Sequence, residues 1–362
     1  MRIKRLLVTA FALLPLLFAA GQDYVHSSLL KQGRWVRFAV TEAGIYRLDY
    51  SQIRDIGITD PSAAVLYGNI SGMHFMYNPA YTGSSGFPAM NLSCYSFLPG
   101  NNFALRSGYD SFDTCSPGLH GGAGMWLSDD MLGEIMNDFR AGATYAYHLQ
   151  AGRDLFFKAG LTASFVHRGI KAGAVILPDD IDPFNGFQGT QSEIIADGAV
   201  TVFDIGTGIT FEKGPWYGGV SVMHLTQPWL SESHTRNDRL RRLYTVSAGT
   251  SFSDRQGEFS LNPSVTLLAQ AENVIIYLGT EALYRSLMGG IALWHAASGF
   301  TAAEPSIGWD TGSAKIILSY SYVLAGGDSA IKGTAIVKAG LAVSFNNVEK
   351  SRAIHIIKLP DL

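Results

Sequence analysis

The chain has 362 residues, 47% hydrophobic and 12% aromatic, with 40 glycines and only 16% charged residues. Soluble domains average about 25% charge and about 7% glycine, so an ordinary two-domain soluble protein fits poorly, and a net charge of −3 leaves no basic footprint for nucleic acid. Apolar, aromatic, glycine-rich and charge-poor together suggest strands with one face in lipid.

The first 21 residues read as a signal peptide. "MRIKR" is a basic lead, "LLVTAFALLPLLFAA" an apolar core, and "AAG" supplies small residues for cleavage after Gly21. The core is shorter than the ~20 residues of a retained helical span. No cysteine follows the cleavage region, which argues against a lipoprotein. Residues 22–69 carry denser charge, including Arg34, Arg37, Glu42, Arg47, Asp49, Arg54 and Asp55. Here "WVRFAV" and "GIYRLDY" predict a hairpin through "TEAG". "SQIRDIG" predicts a helical turn capped by Ser51 and stopped by Gly57. A piece this short makes a marginal core alone. It is expected to dock on the barrel or a partner, or to be poorly ordered.

The stretch "HFMYNPAYTGSSG", residues 74–86, comes next. Pro79 has no N–H to give a ladder, so this is not a central strand. Pro79 fixes φ, Asn78 is pushed toward an extended conformation, and Gly83 can supply a positive φ. The expected role is structural: a lead-in that turns the chain into the first strand from the periplasmic side.

From about residue 87 to 346 the pattern has period two. In "LFFKAGLTASF" Leu155, Phe157, Ala159, Leu161, Ala163 and Phe165 share one face, against Lys158, Gly160, Thr162 and Ser164. "AIVKAGLAVSF" (335–345), "GATYAYHLQ" (142–150) and "SAKIILSYSY" (313–322) alternate in the same way. Such lengths suit strands that cross a membrane at a tilt, with Tyr and Phe near their ends as interfacial girdles. Fourteen segments are predicted, centred near Leu92, Ser107, Ala123, Tyr145, Leu161, Ile205, Val222, Ser247, Val265, Leu278, Leu293, Ser306, Leu318 and Leu341. Short links such as "AGRD", "EKGP", "SDRQG" and "DTGS" alternate with longer ones near 170–197, 227–239 and 324–333. Short periplasmic turns and long outer loops are the asymmetry of an outer-membrane barrel. The rival is a secreted β-sandwich, which also alternates; long segments, small or polar inward residues and low charge argue against it. Residues 286–303 lack formal charge but hold His295 and several glycines, a poor helical span. The fold class expected is therefore all-β: a transmembrane antiparallel β-barrel of 12–14 strands with a small N-terminal β-rich segment.

Few residues invite a chemical reading. Cys94 and Cys115 allow a disulfide in an oxidising space, but strand positions place Cys94 on the first strand and Cys115 in the turn after the second, which opposes it. Asp179, Asp180 and Asp182 in "DDIDPF" offer hard oxygen ligands without a calcium-loop pattern, so a solvated or partner-facing loop is preferred. Arg236, Arg239, Arg241 and Arg242 form a basic loop edge able to meet lipid phosphate, or a plain solvated loop. His148 and His224 sit on or near strands with no nucleophile motif such as Gly-x-Ser-x-Gly. His120, His167 and His295 have no metal-ligand spacing. No catalytic residue, cofactor or metal site is expected.

In family order, "MHFMYNPAYTGSSG", "GYDSFD", "LHGGAGMWLSDD", "TYAYHLQ", "LFFKAGLTASF", "LPDDIDPFNGFQGTQSE", "VMHLTQPWLSE", "LNPSVTLLAQ", "LSYSYV" and "RAIHIIKLP" resemble the PorP/SprF outer-membrane proteins of the Bacteroidetes type IX secretion system. The likeness covers about residues 72–362. It departs at "YSYVLAG", at "GDSAIKGT" and at "FPAMNLSCYSF". Residues 22–69 resemble the start of PorU, without that family's catalytic Cys/His domain. The likeness to PorP/SprF implies a family motif at Asn78, Pro79, Ala80, Tyr81 and Gly83. It also implies a non-enzymatic barrel serving protein secretion and gliding motility. Such a barrel would link periplasmic machinery to the outer membrane or assist export of a partner adhesin. Partners would be lipoprotein or ring components, a secreted adhesin and outer-membrane lipid. Candidate partner-facing residues are Asp179, Asp180, Asp182, His224, Arg352 and Lys358. The organisation expected is a signal peptide at 1–21, the small segment at 22–69, the barrel at 70–346 and a periplasmic tail at 347–362. The alternative is a passive channel or hydrophobic-solute transporter.

Overall fold

A computed structural model describes residues 74–97, 105–132, 136–170, 181–182, 186–187, 198–230, 239–254, 258–271, 273–297, 299–325 and 335–345. The signal peptide, residues 22–69 and the tail at 347–362 lie outside the described residues. A short helix α1 (His74–Tyr77) and a 3-10 turn (Pro79–Tyr81) precede the strands. The barrel strands are β1 (Ala89–Phe97), β2 (Leu105–Ser116), β3 (Gly121–Leu132), β4 (Met136–Gln150), β5 (Leu155–Ile170), β6 (Gly198–Lys213) and β7 (Trp216–Met223). They continue with β8 (Leu243–Thr250), β9 (Phe259–Gln270), β10 (Asn273–Tyr284), β11 (Leu287–Ala296), β12 (Thr301–Asp310), β13 (Ala314–Ala325) and β14 (Ala335–Ser344). All fourteen predicted centres fall on these strands, one to each.

Every strand pairs antiparallel with its neighbour in sequence. The ring closes where β1 meets β14, with Leu92 opposite Leu341. No sheet edge is left around the ring, and closure of this kind is what lets strands stand in a solvent that offers no hydrogen bonds. The longest links, 171–197, 224–242 and 326–334, share one rim. Tight links such as 151–154, 214–215, 285–286 and 311–313 lie on the other, where Gly214 and Gly312 take positive φ.

Side-chain direction follows the sequence period. On β5, Leu161 and Phe165 are 59% and 60% exposed, whereas Lys158, Thr162, Ser164 and Val166 are buried. On β13, Ile316, Leu318, Tyr320 and Tyr322 point outward while Ser319 and Ser321 are buried. A water-soluble sandwich would bury the first set and expose the second. Here the apolar face is outside, and the interior is built from Ser, Thr, Gly, aromatic rings and paired charges. The chain is an outer-membrane-type β-barrel.

One local expectation changes. Cys115 is the eleventh residue of β2, not part of a turn. Cys94 stands opposite Gly108, so Cys115 is seven residues further along β2, roughly 24 Å at ~3.4 Å per residue. Both thiols are free. The apolar stretch at 286–303 contributes β11 and the start of β12. Among the described residues no helix is long and apolar enough to cross a membrane.

Candidate functional site

The segment before β1 does not stop at the rim. It enters the lumen and packs against the inner wall. Tyr77, Asn78, Ala80 and Thr82 are buried at 4%, 2%, 0% and 0% exposure, and the site is best described as a plug and its cradle.

Local chemistry shapes the plug. Asn78 is extended, at φ −143° and ψ 107°, as a residue before proline should be. Its Oδ1 accepts from the Ala80 N–H at 3.0 Å, capping the 3-10 turn that Pro79 opens. The Thr82 hydroxyl donates back to the Pro79 carbonyl at 2.8 Å. Gly83 leaves the turn at φ +74°, a conformation glycine takes without a Cβ clash.

The barrel wall is fitted to this backbone. A Cβ on Gly160 would strike the backbone of Pro79 and Ala80; one on Gly122 would strike Thr82 and Gly83. Gly208 and Gly219, on β6 and β7, leave the floor on which the Asn78 amide lies. From there the Asn78 Nδ2 donates to the carbonyls of Ile209 and Val220, both at 3.3 Å. Ser221 Oγ donates to the Tyr77 carbonyl at 2.6 Å. Gly83 N–H donates to Asp113 Oδ2 at 2.7 Å. The Thr82 hydroxyl meets that of Thr144 at 2.8 Å, and His148 Nε2 lies 2.9 Å from the Thr82 carbonyl. Lys158 Nζ donates to Ser84 at 2.9 Å while paired with Glu212. The buried polar atoms of the plug therefore find partners on β2, β4, β5, β6 and β7, as a dry backbone requires.

Two aromatic anchors set its orientation. Tyr77 joins an apolar cluster with Met223, Leu243, Leu268, Tyr277, Ala292, Trp294 and Ala302. Tyr81 joins Tyr95, Tyr109 and Trp126 on the opposite wall. Burial pushes the Tyr81 phenol up to about 12 from 10.0.

The remaining lumen is braced by paired charges. Glu304 and Lys338, 2% and 3% exposed, meet at 2.6 Å. Ser319 and Ser321 donate to the same carboxylate, and the ammonium sits 3.9 Å from the Trp294 ring centroid. Asp138 receives Arg168 and Arg140 toward the same long-link rim, on β4 and β5. Burying ions in this way is tolerated when each is matched and further hydrogen-bonded.

The motif residues Asn78, Pro79, Ala80, Tyr81 and Gly83 thus gather at one place inside the barrel. His224 is buried with Nδ1 2.6 Å from Asp204 Oδ2, and Thr226 donates to the same carboxylate at 2.7 Å. Asp182 belongs to a two-residue ladder with Gly186. Asp179, Asp180, Arg236, Arg352 and Lys358 fall outside the described residues. Arg239 stacks over Trp229 at 4.2 Å. The cradle glycines and Thr144, Asp113 and Ser221 were not singled out in the sequence. Their only signal was a small or polar residue on the inward face. Among the described residues no cluster of His, Cys, Asp and Glu could hold a metal ion.

Residues 64–334 match a protein family described as type IX secretion system membrane protein PorP/SprF. No curated protein matches the chain. Similar solved structures include the toluene transporter TbuX of Ralstonia pickettii, at 12% identity over 76% of this chain and 94% of that one, with a TM-score of 0.47. A FadL homologue of Pseudomonas aeruginosa is similar at 10% identity over 78% and 100%, TM-score 0.46. The toluene transporter TodX of P. putida is similar at 12% identity over 75% and 93%, TM-score 0.45.

Proposed function

The chain belongs to the PorP/SprF family of type IX secretion system membrane proteins, and from that premise we propose that it is a non-enzymatic, plugged barrel that ties periplasmic secretion machinery to the outer membrane. The observation that carries this reading is the seating of residues 77–83 in the lumen. Eight hydrogen bonds and contacts hold the plug to six strands, and the wall carries glycine where the plug backbone lies closest. A permanent conduit for solute gains nothing from such a stopper, whereas a docking element gains a rigid, sealed body.

In this reading residues 1–21 direct export. The short-turn rim faces the periplasm, following the general asymmetry of outer-membrane barrels. That rim, with Arg352 and Lys358 of the tail at 347–362, meets lipoprotein or ring components. The long-link rim, with Asp179, Asp180 and Asp182 in the β5–β6 link, faces outward toward a secreted adhesin.

Conductance and co-purification test it together. The purified barrel in a planar bilayer should show no sustained conductance, and the tagged barrel should recover periplasmic lipoprotein or ring proteins. Deleting 347–362 should lower that recovery. Steady conductance without any co-purifying component would replace this reading with a passive channel or hydrophobic-solute transporter.

A further inference from the structure

Beside the plug the lumen is not full. A cavity lies between Tyr77, Asn78 and Tyr81 on one side and the inner faces of β7–β10 on the other. Space for water-sized groups amounts to about 40 Å³, three or four waters' worth at roughly 10–15 Å³ each. Among the described residues, four tyrosines, Tyr77, Tyr81, Tyr217 and Tyr277, form its aromatic lining, Glu281 is the one formal charge, and no lysine, arginine or histidine lines it.

Its position limits access. The lining residues on β9 (262–266) and β10 (277–281) run from the middle of those strands toward the short-turn rim. Toward the long-link rim the apolar cluster of Met223, Leu243 and Leu268 closes over it. Thr245 also lines the cavity and is 3% exposed.

We propose that this cavity is a binding site for a small organic cation, an ammonium or guanidinium group delivered from the short-turn rim. Aromatic faces attract such a group through their quadrupole, and more strongly when it is desolvated. A carboxylate gives it a charge-assisted hydrogen bond. A neutral alcohol of the same size gains neither the charge nor the ring attraction, and an anion is repelled by Glu281. The chemistry is the same whether the cation is carried on a Lys or Arg side chain of a protein or by a free amine.

The test uses the full-length barrel in detergent and isothermal titration with n-butylammonium, n-butylguanidinium and n-butanol. Saturable one-to-one binding of the cations, at least about tenfold tighter than butanol, is expected. E281Q should weaken the cations about tenfold and leave butanol unchanged. Heat-modifiable gel migration confirms that the variant keeps its barrel. Tighter binding of a Lys-containing tetrapeptide than of putrescine assigns the cation to a protein partner, and the reverse order to a free polyamine; either result supports the site. Equal binding of butanol and the cations, or cation binding untouched by E281Q, overturns it. So does the absence of saturable binding. The result is independent of secretion, since a passive channel could carry the same cavity.

Discussion

Replacing Asn78 by alanine isolates what holds the plug. Its amide makes three hydrogen bonds: Nδ2 to Ile209 and Val220, and Oδ1 from Ala80. Each is worth about 1 kcal/mol net, so Asn78→Ala should weaken seating by about 3 kcal/mol. That multiplies the unseated population by on the order of a hundredfold. Asn78→Asp sharpens the argument. A carboxylate keeps the acceptor for Ala80 but aims an anion at two carbonyl oxygens, so it should unseat the plug at least as much as alanine. Single-channel recording in planar bilayers reads the outcome directly: a quiet wild type, and brief openings that become frequent in both variants. If Asn78→Asp records as quietly as wild type, with an unchanged unfolding temperature, then the amide is not what fixes the segment. The hydrogen-bond account of the plug would then be wrong.

Other outcomes follow from the same packing. Gly160→Val drives a side chain into the Pro79–Ala80 backbone and should cost about 1–3 kcal/mol of overpacking, seen as a lower temperature of heat-modifiable gel migration. Glu304→Ala strands the Lys338 ammonium at 3% exposure and should cost about 3–5 kcal/mol in urea unfolding. Glu304→Leu with Lys338→Met should recover most of that loss, and a double variant no better than the single would contradict the pairing. Tyr81 gives a pH signature. Its folded-state phenol sits at about 12 against 10.0 unfolded, so the native barrel prefers the protonated ring. The contribution is intact below pH 10 and is lost as pH rises toward 12. Wild type and Tyr81→Phe should therefore melt alike at pH 8 and diverge above pH 10, with wild type falling faster.

The wall of the barrel was legible because it obeys a local rule. Period two shows within ten residues, and β4, β5, β13 and β14 carry an uninterrupted apolar face. The weakest predictions were β1, β2 and β12. On β2 Arg106 and Asp110 stand on the exposed outward face, and on β12 that face begins with Thr301, Ala303 and Pro305; Glu304 keeps the inward register, where it meets Lys338 over the intervening β13. Boundaries were less readable: Cys115 continues β2, because pairing with Gly122 extends that ladder past the apolar pattern. The site was only half visible. Proline and glycine chemistry at 78–83 predicted a turn, and a turn it is. Its depth was hidden, because Asn78 meets Ile209 and Val220 across 131 and 142 residues. A glycine on an inward face reads the same whether it receives a plug or merely leaves space. His224 stood out as an exposed-looking histidine after a strand. Its bond to Asp204 turns it into a buried bracket.

Every part of this account requires the outer side of the strands to stand in acyl chains. Cysteine at 161, 209 and 318, with Cys94 and Cys115 replaced by serine, reports on three outward positions around the ring; cysteine at 198 and 271 reports on the long-link rim. In intact envelopes a membrane-impermeant maleimide should leave the first three unmodified until urea unfolds the protein, while it labels the rim sites at once. Rapid labelling at 161, 209 and 318 in the folded state would mean that water bathes those faces, and the embedded barrel would have to be abandoned.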